Sequence, residues 1–384
     1  MRAISRLPGR GQARSHGPIA PLLSVGALLL AMTVQAAPAG AASRIVTVPR
    51  SNIVPASLGS GGVPHPFGST SSTPLGRQSG GMVYDFAMRS TVLFGGLGTE
   101  VFLNDTWTWN GATWTQLRPA SSPDRRFGFG MAYDAARRQV VLFGGDDTGS
   151  GAGLNDTWTF DGTNWTRRHP ANSPGPRTAM GMAYDAARQR VVLFGGSHAP
   201  FPVLGDTWTW DGTNWRQLHP AASPSPRAAF TMSYDAARKR IVLFSGQNFG
   251  FLTDTWSWDG TNWRQEHPAT SPPGRSDPGM AFDAATHQTV LFGGFVLGGF
   301  YGDTWVWNGT NWRQLFPSDS PSERSDMGFS YNPGARVVLL FGGAGWEGRL
   351  NDTWRWDGTT WSQYLVSVGH TQGRRSDERP GGSL

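Results

Sequence analysis

The sequence predicts an all-β protein, a propeller of six four-stranded antiparallel blades. The first observation is a unit of roughly 50 residues that occurs six times in series, a repeat length typical of propeller blades. The second is that each unit contains four strand-like segments joined by turn signals. The third is that 17 of the 18 Trp occupy repeated positions, so every unit carries aromatic surface that only a neighbouring unit can cover.

The four segments of a unit follow one another in a fixed order and are called strands A to D. Strand A ends in the phrase M-A-Y-D, and strand B is the apolar run V-V-L-F, which is typical of a strand buried on both faces. Strand C is the alternating phrase T-W-T-W, and strand D begins at the next Trp. Between C and D stands Asn-Gly or Asp-Gly, as at Asn110-Gly111, which predicts a two-residue type I′ turn with Trp107 opposite Trp114.

These phrases resemble the kelch repeat, in which one strand ends in Gly-Gly and spaced aromatic residues follow on the next two strands. The resemblance covers residues 77–365, about three quarters of the chain. It implies a six-bladed kelch-type β-propeller in which the first and last blades are in contact.

The kelch family includes copper radical oxidases of the galactose oxidase type. If the resemblance extended to these oxidases, it would imply a cofactor that needs a Cys–Tyr crosslink together with His and Tyr copper ligands. The chain has no Cys, and its His residues show no metal-ligand spacing. We therefore expect no copper radical oxidase activity, no metal and no cofactor.

The segments outside the repeats predict a secreted protein. Residues 1–41 begin with four Arg and no acid, continue with an apolar stretch and end in small residues, as a bacterial signal peptide does. A membrane anchor is the alternative, but the apolar stretch is short and contains Pro21. Residues 42–76 predict a Ser/Gly/Pro-rich linker and residues 366–384 a disordered polar tail. We expect a secreted, periplasmic or cell-surface location, with no stable membrane span after cleavage.

The net charge of +6 and the sequence pI of about 10.1 suggest a nucleic-acid partner only at first sight. Without residues 1–41 the net charge falls to +2. Much of the remaining positive charge lies in the A–B turns, as at Arg137 and Arg138. We expect a monomer that binds no nucleic acid.

The loop between strands B and C is the only part of the unit that varies in length. It has 8, 10, 9, 7, 8 and 8 residues in the six units, whereas the other three spans are constant. A rigid frame with variable loops is typical of a binding surface, and drift in unconstrained loops is the alternative. The candidates for ligand contact in these loops are Phe201, Phe249, Phe251, Phe295, Phe300 and Trp346, the last followed by Glu347.

One arginine per unit stands five residues before the M-A-Y-D phrase. These six residues, called the ring arginines, are Arg77, Arg126, Arg177, Arg227, Arg275 and Arg324. They are candidates for holding a carboxylate, a sulfate or an acidic peptide. Their perfect repetition favours the alternative, in which each one pairs with the aspartate that precedes T-W in its own unit.

Strand A breaks the repeat symmetry in the last two units. The second residue after the ring arginine is small in the first four units and becomes Asp277 and Asp326 in the last two. Two carboxylates on neighbouring inner strands are weak catalytic candidates as an acid–base pair, and they also suit a cation site or hydrogen bonds to a sugar. Solvated acids that balance the arginines are the alternative.

Two functions follow from these observations. The first is a secreted, non-catalytic scaffold that binds a glycan, peptide or protein through its variable B–C loops. The second is a small-sugar enzyme, since secreted six-bladed kelch proteins include sialic acid mutarotases, which the chain resembles in blade number and in its Arg-rich mouth. The sequence favours binding and leaves the ligand open.

Overall fold

The computed structural model describes residues 73–199 and 203–364. Within these ranges the chain forms 24 β-strands and no helix. The strands make six sheets of four, and in each sheet the strands lie in sequence order and pair antiparallel. The all-β, six-bladed propeller predicted from the repeats is confirmed. The predicted signal peptide, most of the linker and the tail lie outside the described residues, as does Phe201.

Each blade runs from strand A at the centre of the ring to strand D at its edge. Blades one to three contain β1 (Gly81–Asp85), β2 (Ser90–Leu97), β3 (Phe102–Trp109), β4 (Trp114–Leu117), β5 (Gly130–Asp134), β6 (Gln139–Phe143), β7 (Thr157–Phe160), β8 (Trp165–Arg168), β9 (Gly181–Asp185), β10 (Arg190–Gly196), β11 (Leu204–Trp210) and β12 (Trp215–Leu218). Blades four to six contain β13 (Thr231–Asp235), β14 (Arg240–Phe244), β15 (Thr255–Trp258), β16 (Trp263–Glu266), β17 (Gly279–Asp283), β18 (Gln288–Val296), β19 (Gly299–Trp307), β20 (Trp312–Leu315), β21 (Gly328–Asn332), β22 (Val337–Gly345), β23 (Gly348–Trp356) and β24 (Trp361–Gln363).

The C–D hairpin differs from the sequence prediction. Trp109 pairs directly with Trp114, so four residues form the connection. The side-chain oxygen of Asn110 accepts hydrogen bonds from the backbone N–H groups two and three residues further on, both at 2.9 Å. Gly111 takes a φ of +102°. The two-residue turn that would place Trp107 opposite Trp114 is wrong, because the Asn side chain closes a longer turn within the loop.

Neighbouring blades are joined by the Trp that begins strand D. The ring of Trp165 packs on Phe94 of the preceding blade, with 4.9 Å between ring centroids. Its indole N–H donates to the hydroxyl of Thr106, also in the preceding blade, at 3.0 Å. The equivalent hydrogen bond occurs at all six blade contacts at 2.9–3.0 Å. The bond from Trp114 to Thr353 joins blade one to blade six, so the ring closes with the same contact that builds it.

A circle of backbone hydrogen bonds surrounds the centre of the propeller. Each inner residue donates its N–H to the carbonyl of its counterpart in the preceding blade at 2.7–3.0 Å. The six members all have a left-handed φ between 51° and 63°. They are Ser79, Gly128, Ala179, Ala229, Asp277 and Asp326, and the bond from Ser79 to Asp326 closes the circle. This inner circle therefore places the two aspartates next to each other.

The hydrogen bond between blades three and four offers a test of the blade contact. Thr207→Val keeps the side-chain shape but leaves the buried indole N–H of Trp263 without its acceptor. We expect the free energy of unfolding to fall by about 1–3 kcal/mol, measured by chemical denaturation. Thr166→Val, at an exposed position on β8, should change it by less than about 0.5 kcal/mol. Equal losses in the two variants would contradict this role.

Candidate functional site

The ring arginines are buried and fully engaged with the protein. Each guanidinium donates two hydrogen bonds to the aspartate of its own blade at 2.5–2.9 Å, with 0–2% of the arginine side chain exposed. Its Nε donates to the carbonyl two residues earlier, and its Nη1 also reaches the carbonyl at the end of strand B. Each ring arginine is therefore paired with the aspartate of its own blade, which was the alternative to ligand binding. No guanidinium is left open to a ligand.

In four of the six pairs these contacts lower the pKa of the aspartate. Burial alone would raise the pKa of these carboxyls, but the arginine and the Trp N–H two residues further on hold it below the ordinary value. This holds for Asp156, Asp206, Asp254 and Asp352. Each pair therefore clamps the end of strand B to the start of strand C, at the base of the variable loop.

The Gly-Gly phrase lets neighbouring blades approach at this clamp. The second residue of the doublet, which is Gly-Gly in five blades and Ser245-Gly246 in blade four, donates its N–H to the carbonyl of the next blade's ring arginine at 2.8–3.1 Å. A Cβ on Gly195, the first residue of its doublet, would lie 2.6 Å from the carbonyl oxygen of Arg227. The clamp therefore joins strands within a blade and also joins adjacent blades.

Four of the predicted loop aromatics form one continuous row across blades four to six. The ring centroids are 6.4 Å apart for Phe251 and Phe295, 5.7 Å for Phe295 and Phe300, and 5.5 Å for Phe300 and Trp346. Each pair meets edge to face, at interplanar angles of 63–89°. Phe249 lies outside the row and is 84% exposed. The row is thus a packed support and offers no flat platform of its own.

Trp346 is the exposed end of this row. It lies in the turn between β22 and β23, and 69% of its surface is exposed. A Cβ on Gly299 would lie 2.9 Å from its Cζ2, so the indole packs on the backbone of the neighbouring blade. Its N–H donates to a carboxylate oxygen of Glu323 at 3.1 Å, and Glu347 is exposed beside it. The indole is therefore oriented by three contacts and keeps most of its surface in solvent.

Asp277 and Asp326 form a carboxyl pair in the inner circle. The two oxygens of Asp326 accept hydrogen bonds from the hydroxyls of Ser79 at 2.6 Å and Ser325 at 2.8 Å. Burial and then the charge of Asp326 raise the pKa of Asp277 well above its ordinary value. Burial also raises the pKa of Asp326, while the two serines and Arg349 oppose the rise. Both carboxyl groups therefore hold a proton more tightly than an ordinary aspartate does.

The carboxyl pair lies on blades five and six, which also carry Phe295, Phe300 and Trp346 of the aromatic row. Backbone hydrogen bonds join Phe295 to Ser276 and Ala344 to Ser325, and each serine directly precedes one of the aspartates. The strands of these two hairpins, β18, β19, β22 and β23, are nine residues long and extend past the Gly-Gly phrase. We call Phe251, Phe295, Phe300, Trp346, Glu323 and Glu347 together the aromatic mouth.

Sequence reasoning missed Glu323 and Arg349. Glu323 precedes a ring arginine at a position where the other units have Gly, Pro or Arg. Arg349 pairs with Ala344, in the place that Phe300 takes in the blade-five hairpin. Both break the repeat symmetry in the blades that carry the aspartates. A comparison of the six units position by position would have found them.

The chain matches no protein-family model and no curated protein. In the ranges 73–199 and 203–364, no group of three or more His, Asp or Glu is arranged to hold a metal ion. The same part of the chain contains no helix long and apolar enough to cross a membrane. The function is therefore argued from the residues of the mouth and of the inner circle.

Arg227→Met tests the structural role of the ring arginines. It leaves Asp254 partly buried without its cation, and we expect a loss of about 3–5 kcal/mol in the free energy of unfolding. Arg216→Met, at an exposed position on β12, should cost less than about 0.5 kcal/mol. Chemical denaturation of both variants measures the difference. Unchanged stability of the Arg227 variant would contradict the clamp.

Asp277→Asn tests the raised pKa of Asp277. Because its pKa is raised on folding, the native chain holds a proton that the unfolded chain releases, so wild-type stability should fall as pH rises from about 4 through the raised folded pKa. Asn tolerates the φ of +51° at this position and does not ionise. The variant should be more stable than wild type at neutral pH, with a smaller difference near pH 4, in thermal unfolding across pH. Parallel curves for the two proteins would contradict the raised pKa, and exposed Asp124→Asn should leave the curve unchanged.

Proposed function

We propose that the protein is a secreted, non-catalytic kelch-type propeller that binds an extracellular glycan, peptide or protein through its variable face. The kelch assignment rests on the six repeated phrases together with the six-bladed fold. Secretion rests on the residues of the segment 1–41. The observation that carries the proposed binding is the position of Trp346, which is oriented by the protein yet largely exposed.

An oriented and exposed indole is suited to be a binding anchor. Covering its apolar surface gains about 25 cal/mol per Å², and its orientation is already fixed before binding. Trp is enriched among the residues that dominate binding energy. The edge-to-face contact with Phe300 supports the orientation of Trp346.

The small-sugar enzyme remains the second candidate because of the carboxyl pair. Two neighbouring carboxyl groups whose pKa values are both raised suit proton transfer to and from a sugar ring. The ring arginines are all engaged with aspartates, so Arg349 would be the cation for the carboxylate of an acidic sugar. We therefore rank mutarotation of an acidic sugar below binding.

Trp346→Ala tests the proposed binding. We expect at least a tenfold loss of affinity for isolated cell-wall material in a pull-down titration, because the anchor is removed while the clamps remain. Phe300→Ala should weaken binding less, since it removes support behind the indole. The control is Phe86→Ala, because Phe86 is 58% exposed and lies in the A–B turn between β1 and β2 of blade one, on the opposite face. Unchanged binding by a folded Trp346 variant would overturn the proposal.

Asp277→Asn separates the two candidate functions. A binding scaffold should keep its affinity for the same material in this variant, because Asp277 lies in the inner circle and not in the aromatic mouth. The enzyme candidate requires that wild type interconverts the anomers of an acidic sugar and that the variant does not, measured by NMR exchange. Interconversion by wild type that is lost in the variant would favour the enzyme over the scaffold.

A further inference from the structure

The tips of three neighbouring B–C loops are both apolar and exposed. Phe249 is 84% exposed, Leu297 74% and Trp346 69%, in blades four, five and six respectively. Exposed apolar groups that cluster on one face are typical of protein–protein contact sites. Trp346 projects from a hairpin turn and keeps 69% of its surface exposed, which favours a macromolecular surface over a small molecule.

The exposed charges beside the blade-six tip are negative. The loops 247–253 and 295–302 contain no charged residue. At the blade-six end of the aromatic mouth, Glu323 and Glu347 are exposed, and Glu323 contacts the indole N–H. Arg349, three residues beyond Trp346, acts on Asp326 in the inner circle, where it opposes the rise in the pKa of that carboxyl. The rim of the exposed indole is therefore acidic.

An acidic rim beside an indole face is complementary to a cation. A Lys or Arg side chain over the face of a Trp is attracted by the ring quadrupole, by about 0.5–2 kcal/mol depending on exposure. Nearby carboxylates add charge complementarity and discriminate against acidic partners. The adjacent apolar tips would contact apolar neighbours of that side chain.

We propose that the aromatic mouth docks a partner-protein segment that presents Lys or Arg between apolar residues, with the cation over Trp346 and beside Glu323 and Glu347. This inference rests on the proposed binding function and specifies its partner. Recognition of an uncharged glycan would need only the indole face, so the acidic rim is the feature that favours a basic peptide.

The test uses three synthetic peptides with the full-length protein. One consists of repeated Gly-Leu-Lys units, and the matched peptides have Gln or Glu in place of Lys. Fluorescence anisotropy should show the Lys peptide binding at least tenfold more tightly than the Gln peptide, with the Glu peptide weakest, and the preference should shrink as salt increases. Equal binding of the three peptides would overturn the inference.

Three variants locate the effect at the proposed groups. Glu323→Gln keeps an acceptor for the indole N–H and removes the charge, and combined with Glu347→Gln it should abolish the preference for Lys over Gln. Trp346→Leu keeps apolar surface but removes the aromatic face, so it should retain Gln-peptide binding and lose most of the Lys preference. Phe86→Ala, in the A–B turn of blade one, should change the binding of neither peptide. A Lys preference that survives in both the double variant and the Leu variant would contradict the site.

Two sugar oligomers distinguish a failure of the peptide inference from a failure of the proposed binding function. Oligomers of glucosamine and of N-acetylglucosamine share a ring but differ in charge. If either oligomer binds in preference to the Lys peptide and this binding depends on Trp346, the proposal of a peptide partner is wrong. The proposed binding function would then stand. If Trp346→Ala changes neither peptide binding nor the binding of cell-wall material, both proposals fail.

Discussion

The buried arginine–aspartate pair of each blade is the interaction on which the rest of the structure depends. The guanidinium holds the end of strand B and the start of strand C, and the carbonyl of the same arginine receives an N–H from the preceding blade. Breaking such a pair would leave a charge in a largely dry site, which is costly. The loop between its two anchor points is free to vary, because its base is fixed in every blade.

The proposed site lies where the blades stop being equivalent. Blades five and six share the common clamp, yet they have longer hairpins, aspartates in the inner circle and the exposed Trp346. The same local framework holds both groups, since Phe295 and Ala344 pair with the serines that precede Asp277 and Asp326. A symmetric frame thus supports one asymmetric mouth.

The fold could be predicted from the sequence because the repeated phrases encode strand order, and six copies average out local ambiguity. The prediction of a two-residue turn is wrong because the side chain of Asn110 closes a longer loop. The Asn-Gly signal alone does not distinguish the two loop lengths. For the site, the sequence supplied Trp346 and the aspartates as departures from the repeat. It did not supply the contact of Trp346 with Glu323, because their proximity depends on how two separate loops meet. The raised pKa of Asp277 likewise depends on burial and on the neighbouring Asp326, which only the closed circle brings together.

The central claim is that the variable face of blades four to six is the binding surface. Hydrogen–deuterium exchange of the full chain, with and without cell-wall material, tests it most directly because every backbone segment is observed at once. The account predicts protection of the hairpins at residues 295–300 and 344–349, with the A–B turns at residues 85–90 and 134–139 unchanged. Protection confined to those turns, on the opposite face of the ring, would contradict it.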